Sequence, residues 1–274
     1  MKTLNIGIRI VMGWIALLIV QMIVGMIIRV DVPSPESMFR WILLTNLLMV
    51  AALGYVASRT DLRGWKLGFA LAATPCAIGI ANLIEGAVFL GNVQLPWARV
   101  CLQVFVTYLL VAPVWSWIFG GSAAGHSSSW DPKPASGKLW RFAVSDIAYV
   151  VFYFTAGMII FPLVRDFYAT QTVPEPAKIV ALQLLVRGPI FIGICLLLVR
   201  LLGFSRTTGA LAVGLVFTLL SGVVPLLAPN PFFPDAVRWV HFGEVTSSNF
   251  VFGFVVAWLW GPGKEHAVLM PKHA

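Results

Sequence analysis

Long apolar runs separated by short polar breaks set the pattern of this chain. Eight runs are long enough to cross a bilayer as helix, which takes about 20 apolar residues for a hydrocarbon core of about 30 Å. The spacing predicts spans over about Ile10 to Ile28, Trp41 to Ala57, Leu67 to Gly91 and Val100 to Gly120 in the first half. In the second half it predicts Phe142 to Val164, Ile179 to Leu202, Thr208 to Ala228 and Val245 to Gly261. The runs are apolar all round, whereas strands of a membrane barrel would show alternating segments of about ten residues. The expected fold is an all-α, polytopic helical bundle.

The eight spans and their loops use the whole length, so residues 1–274 are expected to form a single transmembrane domain. Helices 1 to 4 lie in 1–120, a cytoplasmic linker in 121–141, helices 5 to 8 in 142–261 and a short cytoplasmic tail in 262–274. Glycines, serines and two prolines mark the linker as a flexible connection. The first run is too long for an ordinary signal-peptide core and no A-x-A site follows it, so it is expected to stay as a membrane helix. Trp41, Trp65, Trp97, Trp115, Trp117, Trp140, Trp239, Trp258 and Trp260 fall near predicted span ends, where an indole favours the interface.

Composition supports a lipid environment. The chain is 59% hydrophobic and 11% charged, against about 25% charged residues in soluble domains. The net charge of +8 is spread singly between apolar runs and forms no basic, aromatic-interleaved patch, so nucleic acid is excluded as a partner. One set of loops carries 12 Lys and Arg and the opposite set 6, with Arg187 inside a span. Positive loops stay in the cytoplasm, which predicts both termini on that side of a multi-pass cell membrane, specifically a bacterial inner membrane. Cys76, Cys101 and Cys195 are widely separated and suggest packing residues, with neither a disulfide framework nor a zinc ribbon.

The few polar residues within the runs carry the candidate chemistry. Glu85 is expected about 9 Å and Arg187 about 12 Å below the outer boundary. Gln21, Asn46, Asn82, Gln103, Gln183 and Asn249 fall in the same outer half. Asp146 reads as an interfacial carboxylate near Arg141. Asn82 and Glu85 are three residues apart and Gln183 and Arg187 four, so each pair shares a helix face. Gly79 and Gly86 would admit a neighbouring helix closely. Gly188-Pro189 directly follows Arg187, and a proline there breaks the helix. A charge at the bilayer centre costs about 2.5–3.5 kcal/mol, so Glu85 and Arg187 are expected to pair.

Pro225, Pro229, Pro231 and Pro234 punctuate the outer loop before the last span, and Asp235 is placed to cap a helix from Ala236. If that helix runs on, Arg238, His241, Glu244 and Ser248 form a polar stripe facing Glu85 and Arg187. His241 and Glu244 are weak metal-ligand candidates, with Glu85 as a possible third donor, and a Ser–His dyad through Ser247 or Ser248 is conceivable without a nucleophile elbow. His126, His266 and His273 fall in loops or the tail, which leaves no second membrane histidine for haem. No nucleotide loop or Schiff-base lysine is present, and the sequence names no cofactor.

Three functions fit. In the first, a small permease or binding protein takes a polar or anionic solute at an outer-half pocket lined by Glu85, Arg187, Asn82, Gln183, Arg238, His241, Glu244 and Ser248. In the second, an intramembrane enzyme acts on a lipid-linked substrate from the outer leaflet, with His241, Glu244 and Glu85 as catalytic candidates. In the third, the protein is a non-catalytic scaffold or assembly factor in which these side chains only join helices.

Overall fold

The structure, a computed structural model, describes residues 5–30, 38–89, 95–120, 135–203, 206–230 and 232–261. Eight helices in it are long and apolar enough to span a membrane. They are α1 (Ile6–Ile27), α2 (Met38–Arg59), α3 (Gly64–Phe89) and α4 (Trp97–Phe119), then α5 (Ala135–Tyr168), α6 (Pro176–Leu202), α7 (Arg206–Leu227) and α8 (Asp235–Trp260). No strand occurs among the described residues; a single bridge joins Asn230 and Phe233. The protein is thus an all-α, multi-pass integral membrane protein.

Consecutive helices run up and down. Arg9 at the start of α1 meets Ile118 at the end of α4, and Trp260 at the end of α8 meets Ser145 near the start of α5. The Lys/Arg-poor end, where α3, α5 and α7 finish, is called the outer end below.

Lipid tails are as apolar as leucine, so helices associate through close packing and polar contacts rather than through burial from water. Close packing is supplied by small residues. A Cβ at Gly68 would overlap Ser116 and the Ala112 carbonyl, which fixes the α3–α4 approach. A Cβ at Gly253 would stand 3.1 Å from the Gly214 Cα, which does the same for α7 and α8. Gly79 and Gly86 also serve α4, through Val104 and Trp97, rather than α6. Around these pairs the core is aromatic: Tyr149, Phe191, Phe217 and Phe252 make successive ring contacts of 5.0–5.9 Å across α5, α6, α7 and α8. Leu163 and Leu185, 73% and 76% exposed, face the lipid instead.

Several sequence expectations are corrected. The helix of α5 begins at Ala135, inside the expected linker, and continues to Tyr168. Residues 121–134 of that linker and the tail 262–274 lie outside the described residues. Pro225 belongs to α7, not to the loop after it. Asp235 does not cap α8, because its Oδ1 accepts from the guanidinium of Arg238. Trp115 is no interfacial residue: it is fully buried, and its indole N–H donates to the Gly13 carbonyl at 3.0 Å. Arg9, expected in a loop, is buried within α1 and donates to the Ile118 carbonyl at 2.6 Å.

Two helices are interrupted by one π turn each, Gln183–Arg187 in α6 and Leu219–Val223 in α7. Both turns are followed, two residues on, by proline: Pro189 and Pro225. A proline has no N–H to give and its ring crowds the carbonyl four residues back. Widening the preceding turn relieves that clash, and the next free donor bonds five residues back, Gly188 N–H to Gln183 O and Val224 N–H to Leu219 O. The expected break at Gly188-Pro189 is therefore a widened turn within a continuous helix.

Candidate functional site

The π turn of α6 sets the site. Gln183 and Arg187 are its first and last residues, and both are buried. Turns of this kind occur often at functional positions in helices. Arg187 Nη1 donates to Glu85 Oε1 on α3 and, at 3.4 Å, to Gln183 Oε1. Nη2 donates to Asn82 Oδ1 at 3.0 Å, and Gln183 Nε2 to Glu85 Oε1 at 3.2 Å. The four side chains expected to meet from α3 and α6 therefore form one network. The face of the guanidinium lies over Phe191 at 4.9 Å and Tyr149 at 5.9 Å. Such contacts strengthen when the cation is out of water. Its Nε is buried and has no hydrogen-bond partner.

A second group stands at the outer end. Because α8 is continuous from Asp235, His241 and Glu244 share one face, and Nδ1 of His241 lies 2.6 Å from Glu244 Oε2. Nε2 lies 3.0 Å from the Tyr168 hydroxyl at the end of α5. One neutral tautomer satisfies both contacts: Nδ1–H donates to the carboxylate and Nε2 accepts from the hydroxyl. Phe233 packs on the imidazole at 4.7 Å and on Phe167 at 5.9 Å, while its neighbour Phe232 stacks on Trp97 at 5.7 Å. Asn230 holds this aromatic cover in place by accepting from the backbone N–H groups of both phenylalanines.

Helix α5 links the two groups. Tyr153 lies within electrostatic reach of Glu85, Arg187 and Glu244. A Cβ at Gly157 would stand 3.6 Å from Glu244 Oε1. Asp146, Tyr149, Tyr153 and Gly157 follow at intervals of three, four and four, on one helix face. Sequence reasoning overlooked this stripe. The signal was the placement of two of the chain's five tyrosines, Tyr149 and Tyr153, four residues apart on one span.

No protein-family model matches the chain, and no curated protein or solved structure is similar to it. Function has to be read from the site's own chemistry.

Other expected members lie elsewhere. Arg238 is buried but donates to the Leu226 and Leu227 carbonyls at 2.8 and 2.9 Å, closing the end of α7. Ser248 bonds only the Val245 carbonyl and Ser247 the carbonyls of Gly243 and Glu244, so neither hydroxyl approaches His241 as a nucleophile. Gln21 and Asn46 bond each other at 2.6 Å between α1 and α2, and Asn249 donates to Ser221 at 2.9 Å between α8 and α7. The outer-half polar residues thus form separate pairs around one larger network.

Among the described residues no group of three or more His, Cys, Asp or Glu side chains is arranged to hold a metal ion. The expected third donor, Glu85, is held on Arg187 instead. His126, His266 and His273 lie outside the described residues. Asp146, expected as an interfacial carboxylate near Arg141, is half-buried, and its Oδ1 is buried without a partner against the backbone of Gly188.

Proposed function

We propose that the protein is a small permease or binding protein for a polar or anionic solute, loaded from the outer half of a bacterial inner membrane with both termini cytoplasmic. One observation carries the reading: a buried guanidinium held by exchangeable side chains, Glu85, Asn82 and Gln183, within electrostatic reach of Tyr153 and Glu244. An anionic solute takes the place of the Glu85 carboxylate on Arg187, and protonation of Glu85 compensates the charge. Arg187 supplies the attraction, Asn82 and Gln183 orient the solute, and the cover of Phe232 and Phe233 limits access from outside.

The test is uptake into proteoliposomes from a panel of small radiolabelled organic anions under an inward proton gradient. Wild type is expected to accumulate at least one anion with acid-stimulated kinetics. Glu85→Gln should retain the fold and lose the pH dependence, and Arg187→Lys should raise the half-saturating concentration. Absence of uptake, with no anion shifting the melting temperature, sinks the reading.

The scaffold reading is favoured by a different observation, the use of Arg187 to join α3 to α6 through three side-chain partners. It predicts that Glu85 and Arg187 removed together are tolerated better than either alone, with no solute effect on stability. An enzyme acting on lipid-linked substrates would rest on His241 as general base, oriented by Glu244.

A further inference from the structure

An unpartnered carboxyl oxygen points to a ligand that the solute reading does not include. Three carboxyl groups stand on the helices of this site: Glu85 on α3, Asp146 on α5 and Glu244 on α8. Glu85 is paired with Arg187 and Glu244 is bonded to His241, whereas among the described residues no cation bonds Asp146. An ionised carboxylate left without a partner in a membrane span is penalised.

The three carboxyls are not equally supported. Glu85 accepts from Arg187 and Gln183. Glu244 is bonded to His241 at 2.6 Å. Asp146 has no such help, since its Oδ1 is buried and accepts nothing. The groups around it complete the picture. On α5 itself, Tyr149 sits one turn outward, within electrostatic reach of Asp146, Arg187 and Glu85, with Tyr153 beyond. Arg141 lies toward the other end of α5 against Trp140. On α6, Arg187 is bonded toward α3, and the thiol of Cys195 is buried two turns further along. On α8, Trp260 reaches Ser145, next to Asp146, with an N–H donor rather than a charge.

Gly188 makes room for this carboxyl. A Cβ there would overlap Asp146 Oδ1, and would also stand 2.8 Å from the Gln183 carbonyl oxygen. The carboxyl and that carbonyl thus flank the same gap in the π turn. A carboxylate beside a carbonyl is two acceptors facing each other, whereas a carboxylic acid beside a carbonyl has a donor and an acceptor.

We propose that Asp146 is a proton-binding site: its carboxyl holds a proton at neutral pH and directs it toward the Gln183 carbonyl in the π turn of α6. The proton comes from the aqueous phase and adds to a carboxylate oxygen; no other bond changes. This deepens the permease reading by giving it a coupling ion, yet it is measured with no solute present. Failure of anion uptake therefore leaves it untouched.

Infrared difference spectroscopy of the full-length protein in lipid nanodiscs tests it, with aspartate carboxyls labelled with carbon-13. Near neutral pH exposed aspartates are ionised, so a protonated-carboxyl C=O band that moves on aspartate labelling is expected to come from Asp146 alone. Asp146→Asn should remove the band. Asp146→Glu should keep a band but make it insensitive to aspartate labelling. Glu85→Gln should leave the label-sensitive band in place. Wild type lacking a label-sensitive band near neutral pH overturns the proposal, as does a band that survives in Asp146→Asn. The wild-type measurement decides even if the asparagine variant does not fold.

Discussion

Arg187 and Arg238 are both buried arginines in the outer half of the bundle, yet they are held in opposite ways. Arg238 spends its guanidinium on the Leu226 and Leu227 carbonyls and on Asp235, much as Arg9 does on the Ile118 carbonyl. Terminal carbonyls of a helix lack internal donors and attract cations, and they neither titrate nor leave. Arg187 is held by a carboxylate and two amide side chains from α3 and α6. These partners can change protonation state or rotamer. Burial of an arginine alone therefore says little about function; the chemistry of its acceptors separates a fixed clamp from a site able to exchange ligands.

The largest effect expected from this contrast is at Glu85. Glu85→Ala leaves Arg187 buried without its carboxylate and is expected to destabilise by about 3–5 kcal/mol. Adding Arg187→Leu should recover part of that loss, as read by thermal unfolding in detergent. Arg238→Ala comes next, at about 3 kcal/mol for two charge-assisted bonds to carbonyls. It should lower the melting temperature without changing any pH dependence of solute binding, because the carbonyls do not titrate and its one carboxylate partner, Asp235, is exposed at the start of α8. A pH response lost in Arg238→Ala would erase the distinction between the two arginines. Asn82→Ala removes one charge-assisted bond and is expected to cost about 1.5 kcal/mol, with weaker anion binding if Asn82 orients the solute. Ser248→Ala should change stability by less than about 0.5 kcal/mol, since its hydroxyl bonds only its own helix.

The spans were legible in the sequence because hydropathy alone decides which segments lipid accepts. The Glu85–Arg187 contact was legible for a related reason: two charges at similar depth in lipid have strong cause to pair, and the flanking Asn82 and Gln183 stood at the right spacing. Arg238 was misplaced because its partners are backbone carbonyls at the end of α7, and no side-chain pattern announces them. The tyrosines of α5 stayed hidden because each is apolar enough to pass as part of a membrane run, and only the three-dimensional packing brings Tyr153 within electrostatic reach of both Glu85 and Glu244. Asp146 was read from its distance to a span boundary, and that boundary moved when α5 proved to start at Ala135.

The widened turn at Gln183–Arg187 has a consequence for the register of α6. It accommodates one residue more than an ordinary turn, and each residue of an α-helix advances the chain by about 100°. The outer leg of α6 is thereby rotated out of phase with the inner leg. That offset directs Ile179 and Leu182 into the bundle while Leu185 points to lipid. Deleting a single residue within this turn would restore one uninterrupted helical phase and swing the whole outer leg by about a quarter of a circle, turning Ile179 and Leu182 away from the positions they now bury.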